Sequence, residues 1–183
     1  MAGMSSEGTG PIQLRAATPA DAAALAALHL LSWRATYDPL LEAADRARLT
    51  LAERRAAWER RLADDPWGVW LAERGGRLVG FVSADPALDD DLDPVRIAEV
   101  TSLHVTPEFH GHGLGHRLLA HAEEQLRSAG FEEAVLWVLA ANRSARDFYE
   151  RLGWRPEGVA VRREMGGQAG LPVVDEVRYR RTL

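Results

Sequence analysis

The chain has 183 residues, 46% of them hydrophobic and 27% charged, and it contains no cysteine. That composition is ordinary for a soluble globular domain, and it excludes a disulfide framework, a thiolate metal site and a cysteine nucleophile. The net charge of −5 argues against a general nucleic-acid-binding surface, and no apolar run reaches membrane-spanning length.

Residues 1–10, MAGMSSEGTG, lack the basic start and apolar core of a signal peptide. They read as a disordered leader before a single domain over 11–183, and a chain without cysteine suits the cytoplasm. Ile12 to Ala16 is a short first strand. Thr18-Pro19-Ala20-Asp21 opens a helix, with Thr18 as N-cap, Pro19 at the first helical position and Asp21 near the positive dipole end. That helix is expected to run to about Ala35, with Trp33, Tyr37 and the Asp38-Pro39 break ahead of the next one. Thr50-Leu51-Ala52-Glu53 is a capping box, so a second helix should span Leu51 to Leu62.

Gly68 to Glu73 and Arg77 to Ala84 flank an Arg-Gly-Gly turn and read as a hairpin. Asp85 to Pro94, DPALDDDLDP, reads as a solvated acidic loop. A strand from Arg96 to Val105 follows, closed by Pro107. Leu114, Leu118, Leu119, Ala122 and Leu126 recur at helical spacing, and Gly130 ends the pattern. Ala134 to Leu139 is a buried strand. Asn142 to Leu152 is a helix, with Ala145, Phe148, Tyr149 and Leu152 on one face and Gly153 as its stop. Trp154 to Met165 and Val173 to Arg180 are two closing strands around a loop at 166–172.

Between the strand ending at Val105 and the helix beginning at Leu114, three glycines alternate in HGHGLGH, residues 110–116. Glycine admits positive φ and close ligand approach, and the first amides of a helix attract anions. Two nucleotide-binding patterns fail here. No Lys-Ser or Lys-Thr follows the glycines, and the third glycine of GxGxxG would fall on His116. What fits is [Q/R]xxGxG, with His110 in the first place. With Leu103, Val105 and Pro107 ahead of it, the segment resembles motif A of the GNAT superfamily of acyl-CoA N-acyltransferases. Asn142 to Trp154, NRSARDFYERLGW, resembles the family's NxxAxxFYExxGF segment. The order of elements after residue 11 matches that family too.

The resemblance implies an α/β (α+β) fold, a mixed, mostly antiparallel sheet of about seven strands with about four helices. It implies acetyl-CoA as cosubstrate and a primary amine of a small molecule or protein as acceptor, with direct attack in a ternary complex. Nucleic acid and membrane are not expected partners, and a homodimer is left open. Gly111, His112, Gly113, Leu114, Gly115 and His116 would hold the pyrophosphate. Leu103, His104 and Val105 would pair with the cofactor arm. Asn142 would contact the arm or simply cap its helix. Tyr149 matches the family tyrosine near the cofactor sulfur and would protonate the leaving thiolate; its alternative is a core aromatic. Glu99, in an apolar strand, would be the base, or else an exposed strand-end residue. His110 and His112 stand where relatives often carry cations, and if they touch phosphate their titration would link cofactor affinity to pH. HxH spacing is compatible with metal, but a glycine-rich loop without a carboxylate makes none expected. Trp33, Arg34 and Tyr37 would shape the acceptor pocket, although Trp33 and Tyr37 also read as an i, i+4 core pair. The rival readings are a catalytically silent acetyl-CoA-binding module and a transferase of longer acyl chains.

Overall fold

The computed structural model describes residues 10–37, 50–164 and 172–183. Residues 1–9, the Asp38-Pro39 break and most of the 166–172 loop lie outside them. Seven strands form one sheet: β1 (Gln13–Ala16), β2 (Val69–Arg74), β3 (Arg77–Pro86), β4 (Ile97–Val105), β5 (Glu133–Leu139), β6 (Arg155–Glu164) and β7 (Val173–Thr182). Their order is β1-β2-β3-β4-β5-β7-β6. Every neighbouring pair is antiparallel except β4 and β5. Four helices complete the described residues: α1 (Ala22–Tyr37), α2 (Leu51–Asp64), α3 (Leu114–Ser128) and α4 (Arg143–Arg151).

The strand period of two sends alternate residues to opposite faces. Val69, Leu71 and Phe81 pack under α1 and α2 with Leu25, Trp58 and Leu62. Trp70, Ala72, Val82 and Val100 pack against Leu114, Leu118, Leu119 and Leu126 of α3. α3 is the crossover between the two parallel strands, as parallel pairing requires. Trp154 is buried in the same core and donates its indole N–H to Glu123 of α3 at 3.0 Å.

The helix starts follow their sequence signals. Glu53 N–H donates to Thr50 Oγ1 at 3.2 Å, and the Glu53 carboxylate accepts from Thr50 Oγ1 at 2.8 Å. At the first helix, Pro19–Asp21 forms a 3₁₀ turn that leads into α1, and Asp21 accepts from Thr18 N–H at 2.8 Å. Two expectations need correction. α1 continues to Tyr37, so Trp33 and Tyr37 lie within its last turns, not in a break after it, with ring centroids 4.9 Å apart.

The acidic segment is not simply solvated. Ala87 and Leu92 are buried with Ile97 and Val135. Asp89 accepts from Trp137 Nε1 and Arg178 Nη1, both at 3.0 Å, and Asp91 accepts from Arg178 at 2.5 Å. Arg178 is 3% exposed and also donates to Glu157 at 2.5 Å. A buried guanidinium needs anionic partners, and the aspartates supply them from 87 to 89 residues away along the chain.

Candidate functional site

The parallel pair β4–β5 is joined only from Ile97↔Glu133 to Glu99↔Val135. Beyond Glu99 the two strands are no longer paired, while β4 stays paired with β3 as far as Gly80↔Val105. The opening between them is the mouth of a cleft of about 1040 Å³. Thr106 N–H donates to Val79 O at 2.9 Å. Because backbone groups alternate along an antiparallel strand, Leu103 and Val105 turn theirs away from β3: both groups of Leu103 and the Val105 N–H face this opening, while Val105 O is taken by protein donors. A ligand with amide groups can pair with them as a further strand would.

The opening leads to the glycine loop. After a 3₁₀ turn at Pro107–Phe109 the chain passes Gly111 at φ 74° and Gly113 at φ 77°, the latter as N-cap of α3. Nothing lies within 4 Å of where a Cβ would stand on either. Arg117 N–H is the first to close on the helix, reaching Gly113 O at 3.1 Å. The amides just before it belong to the unclosed start of α3, where the dipole favours an anion. Gly115 differs from the other two. A Cβ there would meet Phe148 of α4 at 3.4 Å, an ordinary contact, and its φ is not positive.

The loop histidines turn to the backbone. His110 Nε2 donates to Val105 O at 2.9 Å, and His112 Nδ1 donates to His110 O at 2.8 Å. His110 thus ties the loop to the end of β4. His116 lines the cleft at the start of α3. Among the described residues, no group of three or more His, Asp or Glu side chains is placed to hold a metal.

Glu99 and Tyr149 both line the cleft. Burial pushes Glu99 up to about 7; Asp89, Asp85 and Glu176 add to the rise, and Arg163 opposes it. Burial likewise raises the Tyr149 phenol, with Tyr37 adding to it, so the hydroxyl keeps its proton. The Tyr149 ring packs edge-on to Phe148 and Trp154, at 5.2 and 6.1 Å between centroids. Asn142 caps α4, its Oδ1 accepting from Ala145 N–H at 3.1 Å. Its side chain lies beside Tyr37 in the same cleft wall. Trp33 is buried against Leu30 and Leu139, with Tyr37 packed beside it. Both residues are therefore core pair and cleft wall at once.

The structure adds residues that sequence reasoning missed. On β6 and β7, Arg163 Nε meets Glu176 Oε2 at 2.5 Å, and the guanidinium lies 4.8 Å over the Trp137 ring. Under α1 and α2, Trp58 Nε1 donates to His29 Nδ1 at 3.2 Å. An indole N–H can only donate, so His29 carries its proton on Nε2. Ser32 Oγ donates to Val105 O at 3.2 Å, so His104 Nδ1 donates to Ser32 Oγ at 3.1 Å. His104, expected to pair with the cofactor arm, instead turns its backbone to β3; its ring stacks on Phe81 and lies 4.5 Å from that of His29. Burial pushes His104 down to about 4 and His29 well below its usual value, and the Arg54 charge pushes both the same way. One signal was present in the sequence: His29 and Ser32 are polar residues at i, i+3 on the inward face of an apolar helix.

A family model described as "Acetyltransferase (GNAT) family" matches residues 25–154. A protein of Mycobacterium tuberculosis named "Probable N-acetyltransferase" is 33% identical over 152 residues, covering 80% of this chain and 82% of that one. The mycothiol acetyltransferase of Thermobispora bispora is 40% identical over 90 residues, 49% of this chain but 30% of its own. Among solved structures, the PaiA N-acetyltransferase of Thermoplasma acidophilum, in complex with coenzyme A, superposes with a TM-score of 0.74 at 18% identity, covering 94% of this chain and 99% of that one.

Proposed function

From the premise that this chain belongs to the GNAT family of acetyltransferases, we propose that it transfers an acetyl group from acetyl-CoA to a primary amine, by direct attack in a ternary complex. The observation that carries this reading is the opening of β4 from β5 after Glu99, leading to the glycine loop. Its chemistry fits the cosubstrate at both ends. The backbone of Leu103 and the Val105 N–H offer an amide edge for the arm, and the start of α3 offers amides and a dipole for the pyrophosphate. The cleft has room for a nucleotide-sized ligand and an acceptor together.

The amine nitrogen bonds to the thioester carbonyl carbon, and the C–S bond then breaks. Glu99 takes the proton that the amine must lose, a task suited to a carboxylate near neutrality. Tyr149 gives a proton to the departing sulfur. With no cysteine in the chain, an acyl-cysteine intermediate is closed to it. The test is thiol release from acetyl-CoA across a panel of primary amines. Amine-dependent release is the expected result. Tight acetyl-CoA binding without release from any amine would leave a silent binding module instead.

The loop assignment has its own test. Gly113→Val forces a β-branched residue to φ 77°, which costs about 1–2 kcal/mol or more. The expected result is acetyl-CoA affinity at least about 10-fold weaker in a variant that keeps its circular dichroism and melting cooperativity. Gly115→Ala, which meets Phe148 at ordinary contact distance, should keep the parent's affinity. Unchanged calorimetric affinity in folded Gly113→Val would remove the loop from cofactor binding.

A further inference from the structure

The peptide that ends β4 is held from three directions. Thr106 N–H donates to Val79 O of β3 at 2.9 Å. On the other side, Val105 O accepts from Ser32 Oγ of α1 at 3.2 Å and from His110 Nε2 of the glycine loop at 2.9 Å. A carbonyl oxygen has two lone pairs, and both are engaged here. Ser32 is itself fixed: it is buried, and its hydroxyl oxygen accepts from His104 Nδ1 at 3.1 Å. The sheet, the first helix and the glycine loop thus meet at one peptide.

That peptide lies between the two halves of the donor's seat. Upstream are the groups of Leu103 and the Val105 N–H, which face the opening; downstream is the loop that leads to the start of α3. The arm and the pyrophosphate of acetyl-CoA belong to one molecule, so both halves must be in place together. A seat whose halves already stand in a fixed relation spares the cost of ordering them on binding. We propose that Ser32 and His110 are positioning residues for acetyl-CoA, clamping the Val105 carbonyl from two elements and so fixing the glycine loop against the edge that takes the arm. The same clamp fastens α1, which brings Trp33 and Tyr37 to the cleft. This rests on the seat assigned to Leu103 and Val105 and deepens it.

The experiment is calorimetric binding of acetyl-CoA, which needs no acceptor, to Ser32→Ala, His110→Ala and the double variant, each checked for cooperative melting. Either donor alone still holds the carbonyl, so each single variant should bind about 2- to 3-fold more weakly. The double variant should bind about 10-fold more weakly or worse, beyond the product of the singles, since the two donors share one acceptor. With His110→Gln in place of His110→Ala, the double variant should recover the affinity of Ser32→Ala alone, because the Gln amide can donate to the same carbonyl. Ser32→Ala also takes the acceptor from His104 Nδ1; should it not fold, Ser32→Cys, with its weak S–H donor, replaces it. A double variant that binds as the parent does, singles that multiply without excess, or a Gln variant that restores nothing would each overturn the clamp. Leu103→Pro tests the seat itself, since it removes an N–H that faces the opening and none that pairs with β3. Parental affinity in folded Leu103→Pro would overturn the seat and the clamp with it. Weakened affinity there, without coupling between Ser32 and His110, would overturn the clamp alone.

Discussion

Tyr149→Phe is expected to lower kcat by about 10²–10⁴-fold, the usual cost of losing a positioned acid, while acetyl-CoA affinity changes little. The ring contributes packing that phenylalanine keeps: the edge contacts with Phe148 and Trp154 and a further aromatic neighbour in Tyr179, 6.5 Å away. What the substitution removes is one hydroxyl in the cleft. Burial holds that hydroxyl protonated across the working pH range, so it is always available as a donor to sulfur. It also makes the phenol a weak acid, so the proton moves only as negative charge gathers on the departing thiolate. Steady-state kinetics with calorimetry of acetyl-CoA binding decides the matter. A variant with parental kcat would make Tyr149 a core aromatic and nothing more.

Glu99→Gln is expected to cost about 10²-fold or more at neutral pH and to remove the acid limb of the pH–rate profile. The sign follows from the carboxyl near 7. The base works when deprotonated, so parental activity should rise with pH through about 7. The variant should lack that rise and recover in part at high pH, where the amine loses its proton unaided. A stability change should accompany it. Folding raises this carboxyl from 4.5 to about 7, so its contribution is fully present below 4.5 and lost as pH rises through 7. Above pH 7 the native state holds an unfavourable buried charge, equivalent to about 3 kcal/mol. Glu99→Gln should therefore be more resistant to urea than the parent at pH 8, by up to that amount, and not at pH 4. A pH–rate profile identical to the parent's would take Glu99 out of the mechanism.

Much of this architecture was legible in the residues because it rests on local signals. The capping box at Thr50 and Glu53, the stops at Gly130 and Gly153, and the strand runs all depend on neighbours a few positions away. The acidic segment was misjudged for the opposite reason. Its aspartates look like a solvated run until Trp137 of β5 and Arg178 of β7 arrive beside them. Gly115 was grouped with Gly111 and Gly113 by spacing, yet it lacks their positive φ and its nearest neighbour is Phe148 on a different helix. Arg163, Glu176 and Arg54 carry no motif, and their place in the cleft is set by strand register and helix docking. The parting of β4 from β5 is likewise tertiary, since nothing along β4 records where its partner stops.

That parting separates what can vary in this molecule from what cannot. The opening is made of hydrogen bonds that two strands leave unformed and of amides at a helix start, and main-chain groups survive any substitution that the local backbone accepts, as Gly113 does not. The opposite walls are side chains on α1, α2, β6 and β7, each replaceable alone. A lineage built on this plan can exchange one acceptor for another, residue by residue, while the donor's seat stays where it was. On the proposed reading, the most replaceable part of the site is thus the part that would choose the amine.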